Sequence, residues 1–164
     1  MESRGTTIDA FALLRGWILA VLVLALAGTA TELVLLEHYE QGLQLVPLVL
    51  IAAACIAIVW RATRMDVASL RAMEVIMILF VVAGFAGVVA HFHGSAEFQL
   101  ELDPAMDIRQ LVEKVMRAKA PPLLAPGMML QMGLLGLGYV YTDASNRARL
   151  ARWLGSRFGK GVAR

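Results

Sequence analysis

The sequence predicts an all-α integral membrane protein: a four-transmembrane-helix bundle, N-in/C-in, with a short amphipathic helix in the outer loop between spans 3 and 4. Three observations carry that expectation. Of the 164 residues, 59% are apolar and 17% charged, against about 45–50% and 25% in soluble domains, and the mean hydropathy is +0.69. A chain this short has no core large enough to hide so many apolar side chains, so most of them face lipid. The apolar residues also fall into four long runs separated by polar connections, and the basic residues gather on one side of those runs.

Composition excludes several classes at once. An ordinary cytosolic enzyme does not carry this excess of apolar surface. The single cysteine, Cys55, lies inside an apolar run, which excludes a CxxC redox pair, an intramolecular disulfide and a Cys-rich zinc module. A net charge of +2 makes any basic character local, and no soluble basic module with aromatics is present, so no nucleic-acid partner is expected.

Span 1 covers residues 16–36: Gly16 to Leu36 is 21 residues without Lys or Arg, enough for roughly 30 Å of hydrocarbon. Arg4 and Arg15 ahead of it, with Ala25-Leu26-Ala27 inside it, have the form of a signal peptide with a cleavage site. The run continues past that site to Leu36, which favours an uncleaved span. Span 2, residues 43–60, is free of charge, and the connection Glu37-His38-Tyr39-Glu40-Gln41-Gly42 suits a tight antiparallel hairpin. Pro47 sits near its start, where helices accept proline.

Span 3, residues 72–92, follows Arg61, Arg64 and Arg71. Glu74 in its first turn reads as an exposed i, i+3 ion pair with Arg71, and Gly94 as the helix stop. Span 4 covers residues 121–142, from Pro121 or Pro122 to Thr142, with Gln131 as its strongly polar interior side chain. Pro126 lets the Pro-Pro-Leu-Leu-Ala-Pro lead-in bend or lie in the interface. Gly133, Gly136 and Gly138 read as a close-packing face toward another span or another subunit.

Residues 93–120 form the extracytoplasmic loop. Within it, Ile108, Leu111, Val112, Val115 and Met116 fall on one helical face, with Asp103 as N-cap and Pro104 in the first helical position. That helix packs on the end of the bundle or lies in the headgroups. Residues 143–164 form a basic amphipathic cytoplasmic tail, whose Arg147, Arg149, Arg152, Trp153, Arg157 and Phe158 meet the anionic inner leaflet. With both termini cytoplasmic, eleven of the fifteen basic residues lie inside, as the positive-inside rule requires of a protein of the cell (cytoplasmic) membrane.

Two groups of residues bear chemistry. His38 ends span 1, and His91 and His93 end span 3; three imidazoles at one depth of the outer face, with Glu37 beside them, form a candidate metal site. Met128 and Met132 share a face of span 4 and add thioethers suited to copper. Zinc is the alternative ion, and haem ranks behind both because bulky residues leave no obvious room for it. In a continuous helix residues two apart point about 200° from each other, so His91 and His93 share an ion only if the helix unwinds before Gly94. Otherwise His91 faces inward, continuing the row Ala83, Gly87, His91. Interfacial histidines and gap-filling methionines explain the same residues without a metal.

Glu32 is the second candidate. The row Ala25, Gly28, Glu32 turns it toward the bundle, where desolvation suits a carboxylate that takes up and releases a proton or cation. Reaching the interface, or bonding to a threonine or Gln131, is the plainer role.

No nucleophile elbow, catalytic triad or HExxH is present, and Gly-Leu-Leu-Gly-Leu-Gly lacks the preceding strand of a nucleotide loop. The expected function is therefore a non-catalytic accessory or scaffold subunit of a membrane complex. Its partners are the lipid bilayer, with other membrane subunits or a second copy of the chain. The alternatives are an outer-face metal or haem binder using His38, His91 and His93, and a proton-coupled small carrier using Glu32.

Overall fold

The computed structural model describes residues 3–37, 42–118, 123–143 and 146, with side chains from residue 10 onward. Its α-helices are α1 (Ser3–Leu35), α2 (Leu45–Arg64, preceded by one 3-10 turn), α3 (Val67–Leu102), α4 (Ile108–Met116) and α5 (Leu124–Tyr141). Three segments are long and apolar enough to cross a membrane: Ala10–Leu35, Gly42–Arg64 and Val67–Leu102. The protein is thus a multi-pass membrane protein with three such helices among the described residues.

The four-span bundle is corrected on this point. The expected fourth span becomes α5, which starts only at Leu124 and has 18 residues. Pro126, Gln131, two tyrosines and four glycines dilute its apolar character, and the count of four crossings falls. The basic tail from Arg147 to Phe158 and beyond lies outside the described residues.

What α5 does instead is fill the centre. It runs antiparallel to α3: Pro126 sits against Gly84 and Gly87, Gly133 against Met77 and Val81, and Tyr141 reaches Glu74. A methyl group on Gly84 would lie 2.8 Å from the Leu130 amide nitrogen, and one on Gly133 would lie 2.8 Å from the Met77 carbonyl oxygen. Backbone therefore meets backbone, the arrangement small residues permit between apolar helices. At Gly136 the obstruction is the Met77 side chain, a flexible thioether that can move. Gly138 has open space beside it, so it is not part of the face that the sequence pattern assigned to it.

Around this pair α1 contributes Leu22, Leu26, Thr29 and Leu33, and α2 contributes Ile51, Ala54 and Ala57. The α1 stripe recurs at i, i+4, i+7 and i+11, one face of a helix. The expected row Ala25, Gly28, Glu32 lies at the edge of that stripe: Ala25 is half-buried against the core, Gly28 meets nothing within 4 Å and Glu32 is exposed. Leucines make more packing contacts against α3 and α5 than a glycine can, so they decide the rotation of α1.

α3 also departs from expectation. It passes through Gly94 without stopping, and His93 Nδ1 lies 3.3 Å from Glu97 Oε1 across that turn. A mid-helix glycine costs only about 1 kcal/mol relative to alanine, which a helix of 36 residues absorbs. At its start Asp66 accepts from the Ser69 amide at 2.7 Å. That bond holds the Asp66 carboxyl below its usual value, so the cap acts at neutral pH and is lost as acid protonates it. At its far end Asp103 caps the C-terminus of α3 and turns the chain, accepting from the Ala105 amide. Asp107, not Asp103, is the N-cap of α4, accepting from the amides of Arg109 and Gln110 at 2.8 and 2.9 Å.

Substituting the glycines separates these contacts. Gly133→Ala should lower stability by about 1–3 kcal/mol, because its methyl meets backbone. Gly138→Ala should be neutral or stabilising by up to ~1 kcal/mol, because only helix propensity changes. Thermal unfolding in detergent measures both, and equal effects would contradict the close approach of α3 and α5.

Candidate functional site

The two ends of the bundle differ in kind. At one end, arginines from separate helices converge on acids. Asp143, just past α5, accepts from Arg15 Nη1 of α1 at 2.7 Å and from Arg61 Nη2 of α2 at 2.9 Å. The three side chains are 11%, 21% and 13% exposed respectively, so the triad is shielded from water. The Arg15 guanidinium also lies 4.7 Å over the Tyr139 ring, a favourable cation–π position. Beside it, Glu74 accepts from Arg71 at 2.8 Å and from the Tyr141 hydroxyl at 3.0 Å.

Glu74 is therefore no exposed ion pair. It is buried and joins α3 to α5. The Asn146 amide closes the end by donating to the Val140 carbonyl at 2.9 Å. Asp143 is held by donors from two other helices, and Glu74 by Arg71 of its own helix and Tyr141 of α5, so both acids tie helices together.

The opposite end is open. There the C-terminal end of α1, the start of α2, the C-terminal half of α3, the end of α4 with Ala118 after it and the N-terminal end of α5 surround a cavity of about 830 Å³. Small side chains on α3, among them Ala83, Ala86, Gly87 and Ala90, leave the space. Pro126, wedged against Gly87, holds the start of α5 at its floor. Most of the lining is apolar, and its polar groups are Thr29, Glu32, Gln44, His91, Ser95 and Gln99.

The cavity gathers part of the predicted residues. Glu32, His91 and Met128 line it. Met132 does not: it is buried in the core at 1% exposure. His93 projects from α3 elsewhere, exposed and beside Glu97. Glu37 is an exposed turn residue in the left-handed conformation that ends α1, and His38 lies outside the described residues.

The metal and haem assignment is accordingly corrected. Among the described residues no three His, Cys, Asp or Glu side chains come together as a metal-holding group. The physical reason is the continuity of α3: without unwinding before Gly94, His91 and His93 point about 200° apart. Met128 and Met132, one turn apart along α5, fall at different depths, Met128 at the cavity and Met132 in the core. Among the described residues no site is built for copper, zinc or haem.

Sequence reasoning missed the arginine end. Arg15 and Arg61 read as topology markers and Asp143 as the first residue of the tail, because the three are far apart in sequence. The usable signal was a lone carboxylate directly after an apolar helix carrying Tyr139 and Tyr141, facing arginines at the ends of two other helices. The chain matches no family model, no curated protein and no solved structure.

Neutralising the shared acid tests the arginine end. Asp143→Asn leaves two shielded guanidinium groups without their counter-charge, and should destabilise by about 2–3 kcal/mol. Chemical unfolding in detergent measures it, and a change below about 0.5 kcal/mol, as surface substitutions give, would show that the triad does not hold the helices together.

Proposed function

We propose that the protein is a non-catalytic accessory component of a membrane assembly, with the arginine end facing the cytoplasm and the cavity end facing outward. The positive-inside rule supports the orientation, since Arg15, Arg61, Arg64 and Arg71 belong to one end of the bundle. The observation that carries the accessory role is the overshoot of α3. Its 36 residues extend about 54 Å, well beyond the roughly 30 Å of hydrocarbon. The excess bears His91, His93, Glu97, Gln99 and Glu101, so polarity places it outside the lipid core.

On that emergent part, apolar side chains stay uncovered. Phe98 and Leu102 of α3 are 58% and 67% exposed, and Ile108 of α4 is 81% exposed, with Val112 and Met116 continuing its row. Only the C-terminal end of the α4 stripe is buried, at Val115. Uncovered apolar groups outside hydrocarbon mark a contact with another protein or with the interface, and a second membrane chain seated on α4 covers them.

Purification in mild detergent from the native membrane should therefore bring a second, different chain in constant proportion. Ile108→Ser with Val112→Ser should release that chain while leaving thermal unfolding unchanged, because both side chains are exposed. A homogeneous monomer from wild type would overturn the accessory role.

A further inference from the structure

We propose that the outward cavity is a binding site for a lipophilic organic cation, with the Glu32 carboxylate as its counter-charge. The site is independent of the accessory role. Its volume of about 830 Å³ falls within the roughly 300–1,000 Å³ of small-molecule sites. The floor is aliphatic, built from Leu33, Ala83, Gly87 and Met129, and the edge carries Glu32 with the amides of Gln44 and Gln99.

Charge decides among ligand classes. The described lining contains one carboxylate and neither lysine nor arginine, although the chain has fifteen such cations. A phosphate or carboxylate head would meet the Glu32 carboxylate with the His91 imidazole as the one basic group of the described lining, and like charges in a weakly polar surrounding repel strongly. A neutral apolar molecule would fill the floor and leave the carboxylate unused. A cation with spread charge and an apolar body satisfies both parts: it loses little hydration on entering, covers the aliphatic floor and places positive charge beside Glu32. The exposed Phe98 ring at the edge adds a face that attracts cations. Glu32 is itself exposed, so its substitution spares the fold.

Tetraphenylphosphonium and tetraphenylborate share shape and size and differ in sign, which makes the pair the direct probe. In calorimetric titration of the full chain in detergent, the phosphonium should bind saturably, one per chain, and the borate should not. Glu32→Gln should weaken phosphonium binding by about tenfold or more with unaltered thermal unfolding. Ala86→Trp, which fills the cavity, should abolish it. Equal binding of the borate, full affinity in Glu32→Gln or in Ala86→Trp, or no saturable binding to wild type would each overturn the proposal. So would a neutral lipid retained equally by wild type and Glu32→Gln.

Discussion

The close approach of α5 to α3 is the constraint on which the rest of this structure depends. Helices surrounded by lipid gain little from hiding apolar side chains, since hydrocarbon is as apolar as leucine. What holds α5 in place is fit: Gly84 and Gly87 accept Pro126 and Leu130, and Gly133 accepts Met77 and Val81. Once α5 lies along α3, Leu22 of α1 reaches Gly136 and the inner stripe of α1 closes over the pair. The glycines also set the register. It brings Tyr141 level with Glu74 and Asp143 level with Arg15 and Arg61.

That register gives the two ends opposite characters. At the arginine end, charges from α1, α2 and α3 are matched by acids and hydroxyls, and shielding makes those bonds count. At the other end the strip of small residues continues along α3 as Ala83, Ala86 and Ala90, which line the cavity. A tight contact and an open cavity thus arise from one strip of small residues, facing Pro126 and backbone in one part and empty space in the other. The long overshoot of α3 then carries α4, which brings Val115 to the cavity wall and half-buries Leu111 while Ile108, Val112 and Met116 stay exposed.

Much of the fold was legible in the sequence, for particular reasons. Leu43 to Trp60 is charge-free and became α2 nearly as bounded, and the α4 face was correct because its apolar positions recur with helical period. Gly133 was legible as a packing residue. Less legible was whether a helix rich in glycine is a span, because the features that make α5 pack closely, glycine, proline and a polar amide, are those that lower its hydropathy. Helix ends were misread where two signals compete: Gly94 resembles a stop yet lies in an unbroken helix, and Asp103 resembles a cap yet serves the preceding turn. Of the candidate residues, Glu32, His91 and Met128 were brought to one cavity, whereas His91 and His93 were divided by the helical geometry that their spacing had already warned of, and Met132 by its depth in the core. The Arg15–Asp143–Arg61 triad was missed because tertiary register assembles it, and the lone carboxylate after α5 is its one trace in the sequence.

The most direct measurement of the central claim is cross-linking of α3 to α5 in the membrane. A methyl on Gly87 would lie 3.0 Å from the Pro126 Cβ, close to the roughly 3.5–4.5 Å Cβ separation of a disulfide. In a Cys55→Ser background, Gly87→Cys with Pro126→Cys should form an intramolecular disulfide on mild oxidation. The control pair Gly87→Cys with Gly28→Cys should remain reduced, since Gly28 faces open space. A disulfide in the first pair alone is the result the structure predicts; its absence, or equal cross-linking of both pairs, would contradict the packing of α5 on the glycine face of α3.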